Sequence, residues 1–297
     1  MTTLTIFTPT YNRAYCLHQG YEALKRQTCK DFMWLVIDDG STDKTRELVE
    51  KWQKEADFTI QYIYKENGGL HTGYNVAIAN ITTELSVCID SDDFMPDDAV
   101  EKIITFWQQN GNDEYAGIIG LDFLLNGKAV GGSLPDKKSI HLIELNTKYK
   151  YKGDTKLVYR TEILKRHIPM PTFHNEKNFN PIYIMIQIDE YLPLLILNEN
   201  FCFVNYQAEG MANNILHQYK NSPNSFAELR RLNMSLKSAP KSFKFMQAIH
   251  YVSSCIFARD RDWLKKSPLK ILTIFAIPFG MVLFIYIQLK TVKTENN

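Results

Sequence analysis

Three carboxylates crowd into four positions at Asp90-Ser91-Asp92-Asp93. Like charges a few ångströms apart resist joint ionisation unless a cation sits among them. Carboxylate oxygens suit a hard divalent ion, and magnesium or manganese keeps coordination positions open for substrate phosphates. Asp92 and Asp90 are therefore the candidate metal ligands, with Asp93 beside them. Asp97 and Asp98, which follow Pro96, read instead as acids that face a helix dipole. Three other polar stretches offer further parts: Pro9-Thr10-Tyr11-Asn12-Arg13, Asp38-Asp39-Gly40-Ser41-Thr42-Asp43 and Glu66-Asn67-Gly68-Gly69. Tyr11 can face a base, a carboxylate such as Asp39 can accept from base or ribose donors, and a glycine pair allows close approach. These parts match a nucleoside diphosphate. Singly, each has a plainer reading as a turn or as ordinary packing; what makes them a site is where the chain puts them.

Each polar stretch follows an apolar run. Leu4–Thr8 is short and rich in β-branched residues, and Leu17, Tyr21 and Leu24 recur behind its loop at helical spacing. Met33–Ile37 is a second such run, with Ser41 or Thr42 expected to cap a helix carrying Leu48, Val49 and Trp52. Thr59–Lys65 leads into the glycine pair and a helical segment to about Asn80, and Leu85–Ile89 ends on the acidic cluster. Four strand-then-helix units in the first hundred residues predict a mostly parallel sheet with helices on both faces. Ligands of such sheets bind beyond the carboxyl ends of the strands, so all four loops should meet along one rim.

The motifs Thr8-Pro9-Thr10-Tyr11-Asn12-Arg13, Val36-Ile37-Asp38-Asp39-Gly40-Ser41-Thr42-Asp43, Asn67-Gly68-Gly69 with Asn75, and Asp90-Ser91-Asp92-Asp93 resemble glycosyltransferase family 2 in type, order and spacing. The resemblance is dense over the first hundred residues and looser over the next hundred. It implies the GT-A fold, a nucleotide-sugar donor that is usually uridine-linked, and transfer with inversion at the anomeric carbon. Carried over by position, Pro9, Thr10, Tyr11, Asn12 and Asp39 would hold the nucleoside, with Asn67, Gly68 and Gly69 at the same cofactor-binding rim. Asp90 and Asp92 would be the acids of the DxD motif, with Asp92 the direct ligand of Mn2+ or Mg2+.

Beyond the acidic loop, Val100, Ile103, Ile104 and Trp107 form one helix face closed by Gly111. Ala116–Leu125 reads as a strand, Asn126-Gly127 as a hairpin turn, and residues 131–153 as polar and irregular. Gly153–Arg160 returns to strand character before a helix capped by Thr161. In the family this half shapes the acceptor site. An inverting transfer needs a general base, for which a carboxylate is the usual choice. Glu176 in the irregular loop after Pro171 is the first candidate, followed by Asp189 (with Glu190) and Glu209. Relatives also place an acid where this chain has Pro181-Ile182-Tyr183, and a basic residue where it has Leu70. His71 and His174 are further candidates for phosphate or sugar contact.

From Asn213 the pattern turns helical, and Leu269–Leu289 is almost wholly apolar. About twenty such residues reach the length of a membrane span. The expected organisation is thus a catalytic domain over residues 1–212 (nucleotide half 1–110, acceptor half 111–212), a helical extension over 213–268, and a membrane-associated or transmembrane helix over 269–289. Basic residues cluster upstream of the last segment, which places the catalytic domain on the cytoplasmic face of the membrane.

Composition closes off other classes. A formal net charge of +1 provides no broad basic field for nucleic acid. Cys16, Cys29, Cys88, Cys202 and Cys255 are odd in number and widely spread, which reads as reduced thiols. The N-terminus has neither the basic region nor the long apolar core of a cleaved signal. No G-x-G-x-x-G follows the first strand, against an oxidoreductase. A sugar-nucleotide nucleotidyltransferase would want a glycine-rich basic loop where Pro9–Arg13 stands. An inactive relative that only binds nucleotide or glycan is the other alternative. The reading that remains is a metal-dependent transferase moving a sugar from a nucleotide donor to a glycan or lipid-linked acceptor.

Overall fold

The structure is a computed structural model and describes residues 2–205 and 215–295. In chain order the elements are β1 (Leu4–Thr10), α1 (His18–Lys25), β2 (Phe32–Asp38), α2 (Thr45–Glu55), β3 (Thr59–Tyr64), α3 (Leu70–Asn80), β4 (Leu85–Cys88) and α4 (Ala99–Asn110), followed by β5 (Gly117–Leu124), β6 (Ser139–Ile140), α5 (Leu142–Thr147), β7 (Thr155–Arg160) and α6 (Thr161–Lys165). The remainder comprises α7 (Ile182–Asp189), β8 (Leu194–Val204), α8 (Ile215–Asn221), α9 (Pro223–Ser235), α10 (Lys241–Ala258), α11 (Trp263–Lys266) and α12 (Lys270–Glu295). The chain divides into two compact units, Met1–Pro169 with Gln187–Asn205, and Met170–Ile186 with Tyr206–Asn297.

The first unit is built on one eight-stranded sheet in the order β3-β2-β1-β4-β7-β5-β8-β6. Its first half, β3-β2-β1-β4, is parallel throughout, as the strand-helix repeats require. The sheet is mostly parallel, as expected, and its antiparallel pairings lie in the second half. β7 runs antiparallel to both β4 and β5, and β6 runs antiparallel to β8, leaving β5 and β8 as the parallel pair there. The turn expected at Asn126-Gly127 returns the chain to β5 only through an isolated bridge between Phe123 and Ala129, and is not part of these antiparallel pairings. That turn is present, with Gly127 at φ 79° and Leu124 accepting its N–H at 2.9 Å. Residues 131–153, expected to be irregular, contain β6 and α5.

Both faces of the parallel half are covered. Leu4, Ile6, Trp34 and Val36 point to one side, where they join Leu17, Tyr21 and Leu24 of α1, Val49 and Trp52 of α2, and Val100, Ile103 and Trp107 of α4 in one buried cluster. Tyr21 stacks on Trp52 with ring centroids 4.5 Å apart. The alternate residues face α3: Phe7 meets Tyr74 edge-on at 5.1 Å, and Gly73 lies so close to Pro9 that a Cβ there would come within 3.3 Å of it. β1 and β2 are buried along their whole length, whereas the edge strand β3 is half-exposed and carries Thr59 and Gln61.

In the second unit, α9 and α10 pack along one another, as do α10 and α12. Met234, Ala248, Tyr251, Val252, Cys255 and Ala276 form their shared core. Gly280 sits against Val252, with Phe245 on Phe279 and Phe257 on Phe284 beside it.

Candidate active site at the carboxyl rim of the sheet

Thr10, Asp38 and Tyr64 stand side by side in register at the ends of β1, β2 and β3, and β4 ends beside Phe7. The loops that follow therefore leave the sheet along one edge and bond to one another. Asn12, at φ 52°, accepts the N–H of Thr42 on its Oδ1 at 2.8 Å while its own N–H donates to Ser41 Oγ at 2.8 Å. Asp43 returns the connection by accepting the N–H of Ala14 at 3.0 Å. Ser41 and Thr42 are thus committed to the neighbouring loop and do not cap α2. Asp43 accepts the N–H of Thr45, the first residue of α2, at 3.0 Å.

The acidic pair divides its work. Asp38 is 1% exposed and turns inward, accepting Tyr62 Oη–H at 2.6 Å and Ser41 N–H at 2.7 Å. Asp39 turns toward the glycine pair: it accepts the N–H groups of Gly68 at 3.0 Å and Gly69 at 2.8 Å, is bonded by Lys65, and receives Asn67 Nδ2 at 3.3 Å. Asn12 and Asp39, the candidates for nucleoside contact, also brace these loops. Both oxygens of Asp39 are engaged by Lys65, Asn67 and the two glycines, because a buried carboxylate must find donors. Thr10 and Pro9 are the buried end of β1, while Tyr11 is 49% exposed and free to face a base. His71 is buried in the first turn of α3, and burial lowers its pKa, so it presents no cation. His174 is exposed.

At the acidic cluster the three carboxylates differ in kind. Asp90 is exposed, Asp92 is partly exposed, and Asp93 is buried. Asp92 Oδ2 lies 3.4 Å from the guanidinium of Arg13, which brings the loops after β1 and β4 together. Asp93 points down into the sheet, where its Oδ2 lies 3.4 Å from Lys156 Nζ and its Oδ1 accepts the N–H of Asn205. Burial pushes the Asp93 carboxyl up to about 6 against the pull of Lys156. Among the described residues no group of three or more His, Cys, Asp or Glu side chains converges on one point. Two outward-facing carboxylates fit a hard divalent ion that completes its shell with phosphate oxygens and water, and do not fit a closed protein cage.

Neither carboxylate expected to act as base has an idle oxygen. Glu176 is 7% exposed and holds the start of α9: Oε1 accepts the N–H and Nδ2 of Asn224 at 2.9 and 2.7 Å, and Oε2 accepts the N–H and Oγ of Ser225, both at 2.7 Å. Asp189 is 5% exposed and holds the start of α5, accepting the N–H groups of Leu142 at 2.5 Å and Ile143 at 2.9 Å beside His141. Both do the same structural work: a helix N-terminus leaves N–H groups unpaired, and a carboxylate distant in the sequence supplies the acceptor. Glu209 lies outside the described residues. Thr161, expected to cap α6, is the first residue of that helix, and its buried Oγ1 has no partner among the described residues.

Sequence reasoning passed over Arg13 and Lys156 in this site. Lys156 had a signal. It is in phase with Val158, whose side chain is fully buried, so a strand pattern demands an apolar residue where a lysine stands.

The model of the family described as Glycosyl transferase family 2 matches residues 5–168. The poly(ribitol-phosphate) β-N-acetylglucosaminyltransferase TarS of Staphylococcus aureus is 26% identical over 167 residues, which is 56% of this chain and 29% of that protein. An uncharacterized glycosyltransferase of Nostoc is 24% identical over 172 residues, 56% of this chain and 53% of its own length. This chain spans about half or less of these relatives. Among solved structures, residues 1–349 of S. aureus TarS in complex with UDP-GlcNAc superpose with a TM-score of 0.64 at 17% identity, covering 98% of this chain and 92% of the other. A mannosyltransferase of Pyrobaculum calidifontis, in complex with GDP-Man and Mn2+, superposes with a TM-score of 0.56 at 16% identity, over 94% and 73% of the two chains. The expected GT-A architecture is therefore present, and the chain belongs to glycosyltransferase family 2.

Proposed function

We propose that the chain transfers a sugar, with inversion, from a nucleotide-diphosphate donor to a glycan or lipid-linked acceptor of a surface polysaccharide. The donor is taken to be UDP-linked, in line with the UDP-GlcNAc bound by the similar TarS structure. One observation carries this reading: Arg13 beside Asp92 puts a guanidinium and two outward carboxylates at the rim where Tyr11 is exposed. In this reading Tyr11 faces the base, the braced Gly68-Gly69 turn lets the backbone approach the ligand, and Arg13 meets the diphosphate. Asp92 and Asp90 would hold Mn2+ or Mg2+, which when bound stabilises the negative charge of the leaving diphosphate. The acceptor hydroxyl gives its proton to a carboxylate, and neither Glu176 nor Asp189, each serving a helix start, is assigned that role.

The same reading puts the chain at the cytoplasmic face of a membrane through α12, which is long and apolar enough to cross one. The test of the chemistry is release of free nucleotide diphosphate from a panel of nucleotide sugars with Mn2+. Asp92→Asn should lower turnover at least about a hundredfold, the scale of several kcal/mol of lost charge stabilisation. Turnover of that variant at the wild-type rate would sink the assignment.

A further inference from the structure

Lys156 occupies a place where lysine is rarely found. Its strand, β7, lies inside the sheet between β4 and β5, and the residue is 9% exposed. Two carboxylates flank its ammonium, Asp93 Oδ2 at 3.4 Å and Asp122 Oδ2 at 3.7 Å. They arrive from different directions. Asp93 is the inward member of the acidic loop after β4, and Asp122 belongs to β5. Asp93 is also tied to the end of β8 through Asn205 N–H at 3.3 Å. The loop that carries Asp90 and Asp92 is therefore fastened, through one neighbour, to β7 and to the end of β8.

The charge balance shows what the lysine is for. Asp122 is 3% exposed, and its Oδ1 has no hydrogen-bond partner among the described residues. A buried carboxylate left half-satisfied is costly unless a cation stands beside it. Burial pushes Asp122 up to about 7, and Lys156 is the group that opposes the rise. Removing this one cation would leave Asp93 and Asp122 facing each other below Asp90 and Asp92, so the loop would relieve the repulsion by moving.

We propose that Lys156 is a positioning residue of the metal-binding loop: clamped between Asp93 and Asp122, it fixes the turn that presents Asp92 to a divalent cation. The proposal rests on the metal reading given above. A lysine that acted only through its field would have the opposite effect, since deleting a positive charge near a cation site tightens the site. A clamp, once deleted, loosens it.

The experiment is a Mn2+ titration of the full chain with saturating UDP and no sugar, following free Mn2+ by electron paramagnetic resonance. Lys156→Met is expected to weaken Mn2+ binding at least about tenfold, the scale of breaking one side of a buried ion pair. Lys156→Arg, which keeps the charge between the two acids, should recover most of that loss. Asp122→Asn keeps the lysine but slackens the clamp, and should weaken binding less than Lys156→Met; it serves as the test if Lys156→Met does not fold. Folded Lys156→Met, or failing that Asp122→Asn, with Mn2+ binding unchanged or tighter would overturn the proposal. Asp92→Asn separates the two levels: if it binds Mn2+ like the parent chain, the metal assignment itself falls, and the clamp with it.

Discussion

The carboxylate of Asp39 accepts the backbone N–H of Gly69 at 2.8 Å, across 30 positions of sequence. Gly69 stands at φ 93°, a conformation that L side chains rarely adopt, immediately before α3. The loop after β2 thus holds the loop after β3 in a shape that only glycine tolerates there.

Asp39→Asn should cost stability first and donor binding with it. The amide keeps one acceptor but brings two donors toward the N–H groups of Gly68 and Gly69, and it leaves Lys65 without its anion. Breaking such a charged, buried hydrogen-bond set should cost about 2–3 kcal/mol in urea unfolding. UDP binding in Mn2+, followed by calorimetry, should weaken in the variant. Full stability with full affinity would show that the brace is dispensable.

Glu176→Gln separates an anchor from a base. The glutamine can present only one carbonyl oxygen to the four donors of Asn224 and Ser225, so stability should fall by about 2–3 kcal/mol. Once rates are corrected for folded fraction, turnover should stay within about threefold of the parent, whereas losing a general base costs on the order of a hundredfold or more. A stable variant that has lost that much turnover would restore Glu176 to the chemistry. Asp189→Asn should behave in the same way through the start of α5.

Much of this was legible from the residues and some was not, for reasons of range. The four strand-end loops were fixed by local chemistry: apolar runs, prolines, glycines and acids in sequence order place Tyr11, Asp39, Gly69 and Asp92 at one rim. The direction of β7 was not, because a strand's orientation depends on partners far away in the chain and not on its own alternation. Nor does type reveal job. Asn12, Asp39 and Glu176 all look like ligand contacts, and all three accept backbone N–H groups whose need for acceptors is invisible until the loops and helices are assembled. Asp93 and Lys156 show the converse: an acid taken as a neighbour of the metal and a lysine passed over are both buried, and each explains the other.

His250 makes the second unit sensitive to acid. Burial, reinforced by the nearby Arg230, lowers its pKa from 6.5 to about 4. The unfolded chain therefore takes up this proton before the folded one does. Stability is complete above pH 6.5 and falls as the pH drops from there toward 4, by up to on the order of 2–3 kcal/mol for this group. His250→Gln should flatten that slope in urea unfolding measured between pH 7 and about 4.5. A slope unchanged by the substitution would assign the acid sensitivity to other groups.

Among the described residues, the last helix buries one side and leaves an apolar stripe exposed on the opposite side. Thr273, Ala276, Gly280, Ile287 and Thr291 are buried, and α10 covers that side. At about 100° per residue, Ile271, Phe275, Val282, Ile285 and Leu289 lie on the opposite side, where all five are exposed. Water is a poor partner for such a stripe, and exposed Lys265, Lys266 and Lys270 at one end with Lys290 at the other suit a headgroup layer. On the proposed membrane reading, this exposed stripe is the face that would enter the bilayer. The full chain should float with vesicles rich in phosphatidylglycerol and less with pure phosphatidylcholine, and Phe275→Glu with Val282→Glu should release it while leaving donor hydrolysis in place. A double variant that still floats would remove the membrane role from this face, and one that is released only as a smaller oligomer would give the stripe to a second copy of the chain.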